Sequence, residues 1–88
     1  MHERALMADV VRKLEAVALA EGGRRVTRVK VRLGALSHFT PEHFREHFED
    51  ATRGTLAEGA AVEAELAGST TDLHADGVVV ESVDLELV

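Results

Sequence analysis

Arg24-Arg25-Val26-Thr27-Arg28-Val29-Lys30-Val31-Arg32-Leu33 is a stretch with two unlike faces. Val29, Val31 and Leu33 alternate with Arg28, Lys30 and Arg32, and a period of two with β-branched residues marks a strand buried on one side. Its other side is basic. Gly34 ends the strand, and Ala35-Leu36-Ser37-His38-Phe39 reads as a loop. Thr40-Pro41-Glu42-His43 then starts a helix: Thr40 suits the N-cap, Pro41 the first helical position and Glu42 the positive end of the helix dipole.

Upstream of the strand, Leu6, Val10, Leu14 and Val17 recur at helical spacing from Arg4 to Glu21, with Met7, Val11 and Ala18 widening the stripe. This is an amphipathic helix, stopped by Gly22-Gly23. Downstream, Phe44, Phe48 and Ala51 form the apolar stripe of the second helix, which runs to about Arg53 and is closed by Gly54. Val62, Ala64 and Leu66 alternate with Glu63 and Glu65 in a second strand over 60–67. Val83, Leu85 and Leu87 alternate with Ser82, Asp84 and Glu86 in a third over 78–88. The order α-β-α-β-β predicts an α/β two-layer sandwich, with two helices packed on one face of a three-stranded sheet. The last two strands are near enough in sequence to pair antiparallel. If the strands are neighbours, the acidic faces of the later two meet the basic face of the first in cross-strand ion pairs.

Eighty-eight residues make one domain, 1–88, and a chain of this size buries only about 60 to 70% of its unfolded surface. With three phenylalanines and no tryptophan or tyrosine, Phe39, Phe44 and Phe48 are the expected anchors of a small core. A net charge of -6 disfavours nucleic acid, which is bound by Lys and Arg neutralising phosphates. No apolar run approaches the ~18 residues of a membrane span, and no signal-peptide core follows the first residues, so a cytoplasmic protein is expected. The absence of cysteine removes disulfides, thiolate catalysis and Cys-type zinc sites.

Met1-His2-Glu3 can supply an amine, an imidazole, backbone amides and a carboxylate to one ion. A square-planar or tetragonal set of such donors suits nickel(II) or copper(II). Taken alone, the triplet is no different from a frayed terminus. His43-Phe44-Arg45-Glu46-His47 matches the H-x-x-E-H pattern of inverted zinc proteases, and residues four apart share a helix face. A catalytic zinc also needs a third ligand and a substrate cleft, so a solvated helical face is the expected role of this pair. His38 and His74 lie in expected loops.

The residues together resemble the HypA/HybF family of hydrogenase nickel-incorporation proteins. The resemblance is carried by Met1-His2-Glu3 and the helix behind it, by Arg25 through Ser37, by Pro41-Glu42, Phe44-Arg45 and Phe48, and by Thr52 through Ala60. It covers residues 1 to about 66. Members usually insert a zinc module with two Cys-x-x-Cys pairs between the second and third strands. Here only Gly68 to Gly77 stands there, which is read as a short turn replacing the module, with no zinc expected.

The resemblance implies a protein that is not an enzyme, and that binds Ni(II) through the Met1 amine, the His2 imidazole, the amides of His2 and Glu3, and the Glu3 carboxylate. It delivers the ion in hydrogenase maturation, with a nickel-binding GTPase of the HypB type and the hydrogenase large subunit as partners. His74, where the missing module would emerge, is an additional candidate ligand. A different class of reading keeps the fold as an interaction module that docks on a maturation partner without transferring metal. An exposed sheet edge leaves pairing with a second copy open.

Overall fold

The computed structural model describes residues 2–34, 39–67 and 77–87, and of His2 and Glu3 the backbone alone. Helix α1 spans His2–Glu21, strand β1 Gly23–Leu33, helix α2 Pro41–Ala51, strand β2 Ala61–Leu66 and strand β3 Val78–Leu87. The chain turns from α1 into β1 over Gly22, whose φ of +72° lies in the left-handed region open to glycine at little cost. Gly23 is small for a second reason. A Cβ there would stand 3.0 Å from a methyl carbon of Leu85, so β3 closes directly on the backbone.

The three strands form one sheet in the order β2-β1-β3, with β1 parallel to β2 and antiparallel to β3. The expected antiparallel pairing of β2 with β3 is therefore overturned, because β1 stands between them. Between β1 and β2 the chain passes through α2, and a crossover of that length makes a parallel pair accessible. Both outer strands then satisfy the backbone of the strand with the longest apolar face. Leu33 pairs with Leu66 on one side and Val78 on the other. The carbonyl of Leu33 accepts from Ala67 N at 2.8 Å, and Gly34 N donates to Gly77 O at 2.8 Å. The ends of the 68–77 connection thus lie on opposite sides of β1, about 10 Å apart at two strand spacings. Residues 68–76 themselves lie outside the described residues.

The core is made by Met7, Val10, Leu14 and Ala18 of α1, Val26, Val29, Val31 and Leu33 of β1, and Phe39, Phe44, Phe48, Ala57 and Ala64. All three expected phenylalanine anchors are buried. Of the expected α1 stripe, Met7, Val10, Leu14 and Ala18 are buried, Leu6 packs partly buried against them, and Val17 is 39% exposed. Along β1, Val26 and Val29 are both buried although three apart, because register shifts against β3 interrupt the strict alternation.

At the start of α2, the Thr40 hydroxyl accepts from His43 N at 3.1 Å, and Pro41 stands in the first turn. Its end differs from expectation. The helix stops at Ala51, which is exposed, and the buried side chain is Thr52. Thr52 Oγ1 donates to the Phe48 carbonyl at 2.8 Å, which satisfies a hydroxyl that would otherwise be costly to bury. The turn that follows is held by Thr55 N donating to Thr52 O at 2.9 Å and by Val26 N donating to Leu56 O at 2.9 Å. The segment 52–60 therefore fastens α2 to the first half of β1.

On the open face of the sheet the expected ion pairs form on both sides of β1. Arg28 meets Glu63 of β2, Arg32 meets Glu81 of β3, and Arg24 reaches Glu86 at 3.0 Å. No helix among the described residues is long and apolar enough to cross a membrane.

Candidate metal centre

Two groups of donors stand at the helical layer. The first is the opening turn of α1. The backbone of His2 and Glu3 is already helical, so these two residues begin the helix and do not sit ahead of it, as the sequence suggested. The first four N–H groups of a helix have no intrahelical acceptor, which leaves the amides of His2 and Glu3 without a helical partner. Behind them Met7, Val10, Leu14 and Ala18 lock α1 onto the sheet at 3% exposure or less. Met1 and His74 lie outside the described residues, as does His38, and the side chains of His2 and Glu3 are likewise undescribed.

Asp9, two turns into α1, pairs with Lys13 at 3.1 Å and also with Arg12. The hydrogen bonds from Lys13 and then Arg12 hold its carboxyl below the usual carboxylate range. These contacts keep the exposed side of α1 in register.

The second group is on α2. His43 and His47 are half-buried, with their Nε2 atoms 2.8 Å apart. Their ring centroids are separated by 4.4 Å. The buried Phe39 ring backs both imidazoles, at 5.8 Å from His43 and 6.2 Å from His47. The expected solvated face is thus corrected. The i,i+4 spacing was plain in the sequence, but a phenylalanine preceding the helix turns the pair into a packed, convergent unit. Among the described residues no group of three His, Asp or Glu side chains converges as a metal site, so the third ligand that a zinc protease requires is not found there. His47 also lines a cleft between the helices with Arg4, Met7, Ala8, Asp50 and Ala51.

A small two-layer α/β domain, led by a helix whose first turn carries nitrogen and oxygen donors, defines the class. The family described as hydrogenase/urease nickel incorporation, metallochaperone, hypA matches residues 1–72. The chain belongs to this family. The hydrogenase maturation factor HypA of Methylocella silvestris is 41% identical over 66 residues, which are 75% of this chain and 58% of that protein. HypA of Bradyrhizobium sp. is 44% identical over 63 residues, 72% of this chain and 56% of that one. The chain thus spans little more than half the length of these relatives. The solution structure of the Ni metallochaperone HypA from Helicobacter pylori superposes with a TM-score of 0.81 over 100% of both chains at 14% identity, which establishes the shared fold.

Proposed function

We propose that the chain is a nickel carrier, not an enzyme, which takes up Ni(II) through Met1, His2 and Glu3 and passes it on during hydrogenase maturation. The observation that carries this reading is the family match, which begins at residue 1 and includes the donor triplet. The chemistry is consistent with it. The amine, the imidazole and the amides must all be unprotonated to bind, so uptake rises with pH through the range of about 6.5 to 8. Two ionised amides cancel the double charge of the ion, so the positive end of the α1 dipole does not repel the bound set.

Binding also has a structural cost that suits a carrier. Amide N–H groups in a helix lie parallel to its axis and do not converge on one point, so capture by the amides of both His2 and Glu3 requires the first turn of α1 to open. Terminal turns fray at close to no cost, while the packed stripe from Met7 onward retains the rest of the helix. Release is the reverse: protonation of the donors lets the turn re-form. His74 supplies a further imidazole in this reading. The recipients are a nickel-binding GTPase of the HypB type and a hydrogenase large subunit, in the cytoplasm, with no zinc held by a chain that lacks cysteine.

Nickel calorimetry on tag-free protein tests the reading, with His2→Ala alongside. Loss of the strongest binding step in the variant is expected; equal binding by both proteins removes the N-terminal site. The second reading, an interaction module that docks without metal, is favoured by the absence of Cys-x-x-Cys pairs from this sequence. It gains if neither protein binds nickel.

A further inference from the structure

We infer that His43 and His47 form a second ion site, separate from the N-terminal one, for a divalent transition ion that takes imidazole ligands, with Cu(II) the strongest candidate. The two Nε2 atoms already converge to 2.8 Å in a hydrogen bond, within about 1 Å of the separation of two imidazole nitrogens that share an ion at about 2.0–2.1 Å from each.

In the structure the two Nε2 atoms share a hydrogen bond, so one donates and the other accepts. On ion binding this hydrogen bond breaks: the donor ring shifts its proton from Nε2 to Nδ1, and both rings turn so that each Nε2 lone pair faces the ion. His43 and His47 are fixed by one helical turn of α2, whose neighbours Phe44 and Phe48 are 0% and 2% exposed. The Phe39 ring limits rotation of both imidazoles from behind. Glu42, Glu46 and Asp50 on the same helix offset the charge of Arg4 across the cleft. Two imidazoles hold an ion more weakly than an amine–amide set, so the ion exchanges readily. The cleft shared by His47 and Arg4 places this site across from the opening of α1, where an ion lost from the first set has a second imidazole landing.

The test is separate from that of the N-terminal site because it is run in the His2→Ala background. Calorimetric titration of the tag-free His2→Ala chain with Cu(II), and separately with Ni(II), is expected to show one equivalent. That equivalent is lost when His43→Gln and His47→Gln are added, and each single change weakens binding at least tenfold. Glutamine preserves helix propensity, and an unchanged far-UV circular dichroism spectrum verifies the fold. As a second readout, substoichiometric Cu(II) should broaden the ring-proton resonances of His43 and His47 before those of other residues. One equivalent retained in the His43→Gln/His47→Gln variant, or no uptake by the His2→Ala chain, overturns the inference whatever happens at residue 2.

Discussion

Both helices carry histidine close to their starts, in different settings. Helix α1 begins at His2, five residues before the first core residue of its packed stripe, Met7. Helix α2 is capped by Thr40, starts with Pro41 and is wedged into the core by Phe44 and Phe48, with His43 and His47 backed by Phe39. On the proposed reading, the donors at α1 are local in sequence and must rearrange to bind. At α2 they depend on tertiary packing and already converge. A local, rearranging set is sensitive to pH and to the chemistry of the terminus; a packed pair is sensitive to the core.

Removing the wedge breaks this comparison most forcefully. Phe44→Ala is expected to destabilise the fold by about 3–5 kcal/mol, a large part of the ~5–15 kcal/mol typical of a domain, as read by urea denaturation. Binding at His43 and His47 should fall with the fold, while nickel capture by the first residues persists because its donors need no core. Equal loss at both places would refute the contrast.

Acetylating the amino terminus, or adding one residue before Met1, reverses the pattern. Uptake by the first set should drop at least tenfold, which is about 1.4 kcal/mol, and the α2 pair should be untouched. In the unmodified chain the first set should also strengthen steadily between pH 6 and pH 8, when followed by competition with a chelator.

A smaller change sharpens the α2 side. Thr40→Ala removes the cap on His43 N and should cost about 1 kcal/mol of thermal stability, with a modest weakening at His43 and His47 and none at the terminus. The smallest expected effect lies on the exposed side of α1. The Asp9 carboxyl titrates lower in the folded chain than when unfolded, so its contribution is present above the unfolded value of about 3.9. It is lost as pH falls through the lower folded value. Asp9→Asn should therefore melt slightly below the parent at pH 7, and the two should coincide near pH 2. The difference at pH 7 should shrink in high salt, since the pairs with Lys13 and Arg12 are exposed.

Element by element, most of the fold was legible. Thr40-Pro41 announced α2, Gly22-Gly23 ended α1, and the alternation of Val29, Val31 and Leu33 with arginine and lysine gave β1 its buried and basic sides. Strand order was not legible, because proximity in sequence favoured β2 beside β3 and nothing local says that β1 takes partners on both edges. The buried role of Thr52 was hidden as well. A threonine becomes a core residue only where a helix end supplies a carbonyl, and Phe48 supplies it here.

Sequence alone determined the helices, the strands and the three aromatic anchors, because periodicity, caps and chemical type are properties of neighbouring residues. It also displayed the spacing of His43 and His47. Tertiary structure decided that β1 is the central strand and that two imidazoles meet against Phe39. Those outcomes depend on contacts between distant segments, where burial and backbone hydrogen bonding select among pairings that the local pattern leaves equal.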